Sequence, residues 1–251
     1  MISLKNQNVL VTGGSRGIGK ACVELFLKAG ANVAFTFNSA KKEADNIVSD
    51  YIKSSKIKCY GLNLADSNEI ERKLSHILSD FSSIDVLVNN AGIWKEAAID
   101  KMTIEEWNEM MNINLTSTYL ITKLLVPKMK ENRFGRIINI ASTAGQRGEA
   151  FHSHYAASKG GMISLTKSLA SELGEFNITV NCVAPGWVIT DMTTGSLSET
   201  EIYKKVLTDI PLKKIAQPEE IAGPVLFLAS QLASHITGEI LNVNGGSVLC
   251  G

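Results

Sequence analysis

The 251-residue sequence has no excess of charge of either sign. Its 25 Lys and Arg residues balance 25 Asp and Glu residues, leaving a formal net charge of zero. A nucleic-acid binder carries a basic footprint, and none is present. Long apolar runs are missing as well. No stretch long enough to cross a bilayer is free of charged or polar residues. The short polar segment Met1–Asn8 has no apolar core of signal-peptide type. Cysteine is scarce and scattered (Cys22, Cys59, Cys182, Cys250) without CxxC spacing, so free thiols in a reducing compartment are expected. No low-complexity linker and no short-period repeat divides the chain. With 45% hydrophobic and 20% charged residues, the expectation is a single globular domain over residues 1–251. It would be cytoplasmic, with no nucleic-acid and no membrane partner.

What the sequence has is alternation. Apolar runs rich in Val and Ile stand at Asn8–Val11, Val33–Phe37, Ile57–Leu62, Val86–Asn89, Ile137–Ala141, Thr179–Val183 and Ile240–Val243. Continuous hydrophobicity of this kind suits strands buried on both faces of a parallel sheet. Amphipathic stretches lie between them: Gly17–Ala29, Ala40–Ser54, Ser67–Phe81, Ile104–Asn132, Ser153–Phe176 and Pro218–Ser230. The last opens with proline and two acids, a helix-start signal. Repeated βαβ units predict an α/β fold: a Rossmann-type, doubly wound, parallel seven-stranded sheet with helices on both faces. Chemistry is then expected at the C-terminal ends of the strands.

The first strand runs into Thr12-Gly13-Gly14-Ser15-Arg16-Gly17-Ile18-Gly19, and an amphipathic helix follows. Glycines allow a tight turn and close approach of backbone to a ligand. The helix N-terminus offers free N–H groups to a pyrophosphate. The spacing G-x3-G-x-G differs from the G-x-G-x-x-G of other dinucleotide folds. An acid ending the second strand would bind the ribose 2′-OH of NAD. Here that strand ends at Asn38, no acid precedes Glu43, and Arg16, Lys41 and Lys42 are near. NADP(H) is therefore expected to be preferred, with NAD(H) left open.

The strand ending at Ala141 delivers Ser142, and thirteen residues later comes Tyr155-Ala156-Ala157-Ser158-Lys159. On a helix, Tyr155 and Lys159 share a face. Phenol titrates near 10, so a base useful at neutral pH needs about 3–4 kcal/mol of help. An ammonium about 5 Å away, at an effective dielectric of about 20, supplies about 3 kcal/mol. The same spacing recurs at Tyr119 and Lys123 without a strand-end serine; Tyr119 is expected to be core or interface packing.

Together these pieces resemble the classical short-chain dehydrogenase/reductase family, over almost the whole chain. They are the glycine loop, Asn89-Asn90-Ala91-Gly92, Asn114, Ser142, Tyr155 with Lys159, Pro185-Gly186 with Thr190, and the tail Ile236-Thr237-Gly238 to Asn244-Gly245-Gly246. Within the family the chain most resembles the reductases of 3-oxoacyl groups on an acyl carrier protein. The resemblance implies that Tyr155 donates a proton to a substrate carbonyl oxygen held by Ser142, in a hydride transfer from NADPH. Lys159 would lower the phenol's pKa and bind the nicotinamide ribose. Asn114 would sit at a helix irregularity and hold a water relaying protons to Lys159. Gly13, Ser15, Arg16, Gly17, Ile18, Gly19 and Asn38 would contact phosphates and ribose, and Asn63 and Leu64 would flank the adenine. Asn90, Ala91, Gly92, Ile113, Tyr155 and Lys159 would line the cofactor, and Pro185, Gly186, Val188 and Thr190 would meet its carboxamide end. The resemblance also implies a homotetramer paired through Leu115–Met129 and the tail Ile240–Cys250.

Substrate choice is expected in three segments, Ile93–Ala97, Ala144–His154 and Trp187–Ile210, the last read as a mobile lid. Trp94, Ser142, Gln146, His152, Tyr155 and Trp187 are the substrate candidates. Lys128, Lys130 and Arg133 offer part of a basic surface for an acidic carrier protein. Ser171 and the bulky Trp94-Lys95-Glu96 depart from the pattern of those reductases. A small free alcohol, polyol or sugar therefore stays open as the substrate, as does a non-catalytic dinucleotide sensor. His152 and His154 are too few ligands for a metal and are expected at the pocket rim.

Overall fold

The computed structural model describes residues 2–53 and 55–249. The expectations placed on Met1, Ser54 and Cys250 lie outside these residues. The strands are β1 (Asn8–Val11), β2 (Asn32–Phe37), β3 (Ile57–Gly61), β4 (Val86–Asn89), β5 (Gly135–Ile140), β6 (Ile178–Pro185) and β7 (Ile240–Val243). They form one sheet in the order β3-β2-β1-β4-β5-β6-β7, and every pairing is parallel. Every residue of β5 and β6 is buried, as two covered faces require.

Alternation along the strands builds two cores. Val9 and Val11 of β1 and Val33 and Phe35 of β2 face α1 (Gly17–Lys28) and α10 (Pro218–Ala229). Leu10 and Ala34 face the other way, onto α3 (Ser67–Phe81), α5 (Ser117–Asn132) and α7 (Ser153–Leu173). The remaining helices are α2 (Lys41–Tyr51), α4 (Ile104–Met111), α6 (Ala144–Arg147), α8 (Asp191–Leu197) and α9 (Thr200–Asp209). Helix starts follow their sequence signals. The Asp66 side chain accepts from the N–H groups of Asn68 and Glu69, and capping boxes open α4 at Thr103 and α10 at Gln217.

Three segments carry structure that the apolar pattern does not show. The strand expected from Ile137 begins at Gly135, because Arg136 interrupts the apolar run although it is only 1% exposed. Its guanidinium stacks on Phe134 at 4.4 Å and donates to the carbonyl oxygens of Gly135 and Asn177. The helix over Ile104–Asn132, unbroken in its apolar pattern, is interrupted by a π turn at Asn112–Thr116, the irregularity that the resemblance implies at Asn114. There the Ser117 and Thr118 hydroxyls bond the carbonyls of Ile113 and Asn114 at 2.6 and 3.1 Å. The segment read as a mobile lid, Trp187–Ile210, with no helix expected in it, contains α8 and α9. Its Ser- and Thr-rich composition conceals the spacing Ile202, Val206, Ile210, whose face packs with Trp187 and Ile215. Cys22 and Cys182 are buried free thiols and Cys59 is a partly exposed one.

Candidate active site

The turn after β1 is built around contacts a side chain would prevent. Gly13 and Gly17 have φ of +66° and +52°, the left-handed region. A Cβ on Gly19 would fall 2.1 Å from the Gly13 carbonyl oxygen. Asn90 fastens this loop from the neighbouring strand end, its amide donating to the Thr12 and Gly13 carbonyls at 2.9 and 3.2 Å. The Thr12 hydroxyl in turn accepts from the N–H groups of Asn90 and Ala91. Arg16 begins α1 in extended conformation without a side-chain cap, and the first turn carries no acid. The helix therefore presents unsatisfied N–H donors and its positive end to the cleft, the chemistry a pyrophosphate fits.

Across the cleft, the end of β5 and the first turns of α7 meet. The Ser142 hydroxyl, which accepts from the Ala144 N–H at 3.1 Å, lies close enough to the Tyr155 phenol to lower its pKa. Lys159 is 4% exposed. Its Nζ lies 5.9 Å from the Tyr155 ring centre and donates to the Ile140 carbonyl at 2.7 Å. Burial dominates the electrostatics. It pushes the Tyr155 phenol up to about 12, with the Glu149 carboxylate adding to the rise and the Ser142 hydroxyl opposing it. It pushes Lys159 down to about 8. The expected lowering of the phenol by its lysine does not appear here: desolvation dominates, and Ser142 alone opposes it.

Asn114, fully buried in the π turn, binds Ile93 through both ends of its amide. Its Oδ1 accepts from the Ile93 N–H at 2.8 Å, and its Nδ2 donates to the Ile93 carbonyl at 3.0 Å and to the Ser158 hydroxyl at 3.1 Å. A Cβ on Gly92 would lie 3.1 Å from Asn114 Oδ1 and 3.5 Å from Lys159 Nζ. Asn114 therefore positions the strand-end segment beside Lys159.

All these strand ends open into one cleft of about 490 Å³. Each residue expected at the cofactor, from the glycine loop through Asn38, Asn63, Leu64, Asn90 and Ile113 to Thr190, lies on its wall, as do Ser142, Tyr155, Lys159 and Trp94. The sequence reading missed Thr36, whose hydroxyl accepts from the Gly13 N–H at 3.2 Å. It also left unnamed Asp191, Met192 and Thr193, wall residues within the segment read as a lid. The family model described as enoyl-(acyl carrier protein) reductase matches residues 13–247. The chain belongs to the short-chain dehydrogenase/reductase family. It is accordingly an oxidoreductase that uses a nicotinamide dinucleotide, and the uncapped helix start and glycine turn fit that group.

Among short-chain dehydrogenases/reductases, it is 43% identical to the 3-oxoacyl-[acyl-carrier-protein] reductase FabG of Aquifex aeolicus over 250 residues, 98% of each chain. It is 40% identical to the Synechocystis enzyme of the same activity, covering 99% of this chain and 100% of that one. The crystal structure of gox2181 superposes with a TM-score of 0.93 at 30% identity, over 98% of this chain and 96% of the other. A putative gluconate dehydrogenase from Agrobacterium tumefaciens superposes equally well, at 28% identity and 98% of each chain.

Other residues singled out in this dehydrogenase/reductase sequence are placed differently from expectation. Gln146, Trp187 and His152 do not line the cleft. Gln146 turns away, its amide donating to Asn242 of β7 at 2.7 Å. His152 and His154 are buried rather than at the rim, 8% and 1% exposed. Burial holds His154 below the usual histidine range, helped by His152. Among the described residues, no group of three His, Cys, Asp or Glu side chains is placed to hold a metal ion. Lys41 pairs with Asp45 at 2.6 Å, and neither Lys41 nor Lys42 lines the cleft. Of the cations expected for a 2′-phosphate, Arg16 alone is on the wall, and it stands 3.6 Å from Asp191 of α8. Tyr119, expected as core or interface packing, is 47% exposed under Lys123 and so is not in the core. The basic surface is largely self-engaged, with Lys128 paired to Glu131 at 2.5 Å and Arg133 donating to the Glu175 carbonyl.

Proposed function

We propose that this enzyme reduces the 3-oxo group of an acyl thioester, carried on an acyl carrier protein, to a secondary alcohol with NADPH. The observation that carries the chemistry is the meeting of Ser142, Tyr155 and buried Lys159 on one wall of a cleft whose opposite wall is an uncapped helix start. The names of the relatives that match from end to end support the thioester. The dinucleotide, when bound, supplies the hydride.

Tyr155 gives its proton to the carbonyl oxygen as negative charge develops there. A phenol raised to about 12 is protonated at neutral pH, as an acid must be, and still more acidic than the alcohol it creates. Ser142 donates a hydrogen bond to the same oxygen. Lys159, cationic below about pH 8, stabilises the phenolate left behind and holds the nicotinamide ribose. Asn114 fixes the Ile93 backbone and lies on the path by which Lys159 regains a proton from solvent. The enzyme would work as a cytoplasmic homotetramer, joined through α5 and β7. The half-exposed strand β7 and exposed Tyr119 support this, and sedimentation at low micromolar concentration tests it.

Acetoacetyl thioester with NADPH, set against free ketones, polyols and sugars with either cofactor, tests the reaction. Thioester reduction is expected to dominate. Turnover of a polyol alone would replace this reading with that of a free-alcohol dehydrogenase.

Arg16 would contact the 2′-phosphate, and Asp191 competes for it. An exposed ion pair is worth about 0.2–1 kcal/mol, so Asp191→Asn is expected to tighten NADPH binding by about 1.5- to 5-fold and leave NADH unchanged. Equal effects on the two cofactors in a fluorescence titration would remove Arg16 from the phosphate.

A further inference from the structure

The three segments expected to choose the substrate each contribute one aromatic ring to a single cluster. Trp94 lies flat on His152, ring centres 4.4 Å apart and planes within 3°. Trp187 meets Trp94 edge-on at 6.0 Å and 82°. Trp94 is also on the wall of the cleft that holds Ser142 and Tyr155, and its stacking partner is three residues from Tyr155. The ring therefore bounds the space on the substrate side.

Each member of the cluster is fastened from behind. His152 is 8% exposed, its Nδ1 lies 3.0 Å from the Ala150 carbonyl, and Glu149 stands 3.8 Å away. The loop carrying Trp94 is tied by the Ala97 N–H to the Phe151 carbonyl at 2.8 Å and by Lys95 to Glu109 at 2.6 Å. Its first residue, Ile93, is held by Asn114. Trp187 packs among Val206 of α9, Ile210 and Ile215. Moving Trp94 aside would break a stack and an edge contact at once. A flexible aliphatic lining could open for a growing chain; three interlocked rings on three anchored segments cannot do so cheaply.

We infer that Trp94, braced by His152 and Trp187, is a specificity-determining wall that restricts the enzyme to short 3-oxoacyl groups. This rests on the reading of the site as a 3-oxoacyl thioester reductase. In an open apolar pocket each added methylene improves kcat/KM by about fourfold; against a closed wall the trend reverses.

The test is kcat/KM for 3-oxobutanoyl, 3-oxohexanoyl, 3-oxooctanoyl and 3-oxodecanoyl N-acetylcysteamine thioesters with NADPH, in the full-length enzyme and in Trp94→Ala and His152→Leu. The small carrier keeps protein docking out of the comparison. Wild type is expected to favour 3-oxobutanoyl over 3-oxooctanoyl by at least about tenfold. Trp94→Ala is expected to raise the octanoyl-to-butanoyl ratio by about tenfold or more, whatever it does to either rate alone. His152→Leu, which removes only the brace, should move the ratio the same way by a smaller factor, and it decides the matter if Trp94→Ala does not fold. A wild-type profile that is flat or rises with chain length overturns the wall and leaves the reduction standing, as does a ratio unmoved by the variants. A wild type silent on every thioester overturns the reduction itself, and the wall with it.

Discussion

Tyr155→Phe is expected to cut turnover by about 10²- to 10⁴-fold, the range for loss of a general acid, while NADPH binds within about threefold of wild type. The substitution removes one oxygen and keeps the ring, so the cleft wall survives and only the proton and the Ser142 contact are lost. A tyrosine serving packing alone would show the reverse, a shift in stability with turnover intact. Retention of more than a few per cent of turnover would end the assignment. The pH profile separates the partners. With the phenol near 12, deprotonation of Tyr155 does not limit reduction near neutrality. A fall in kcat/KM above about pH 8 reports instead loss of the Lys159 ammonium.

Lys159→Met should abolish most activity, weaken NADPH binding and yet stabilise the fold at neutral pH. Burial lowers Lys159 from 10.5 to about 8 in the native protein. Between these values the unfolded chain binds more protons, so native stability rises with pH through this window. Below about pH 8 the protein carries the full cost of a buried cation, about 3 kcal/mol for a shift of this size. Methionine removes that cost and gives up one hydrogen bond, to the Ile140 carbonyl, worth about 1–2 kcal/mol. A net gain of about 1–2 kcal/mol at pH 7, seen as a higher urea midpoint and shrinking toward pH 10, is the expected result. A variant less stable than wild type at pH 7 would show that the ammonium is better solvated than its burial implies.

Most of the sheet was legible because its signal is local. Strands covered on both faces read as unbroken Val and Ile runs, and the glycine loop and the Ser142–Tyr155–Lys159 spacing sit at strand ends and helix starts that the runs themselves mark. What was missed depended on partners distant in sequence. Arg136 reads as a strand breaker until Phe134 and two carbonyls are brought to it. The sequence placed Asn114 at an irregularity through family resemblance, while the apolar periodicity ran straight across the π turn. Gln146 and Trp94 were equal candidates for the substrate. Only the fold reveals that one turns toward β7 and the other onto the cleft. The phenol's rise, opposite to the expected fall, came from burial, which spacing alone does not report.

The π turn is a helix holding one residue too many. Deleting a residue within 112–116 would let an unbroken α-helical ladder run from Ile104 to Asn132, and it would rotate α4 by about 100° relative to α5. Asn114 would then leave Ile93, and the segment beside Lys159 would lose its anchor. A redesign that rewarded helical regularity would choose that deletion first, and would lose the buried contacts of Met110 and Asn114 in removing one backbone irregularity.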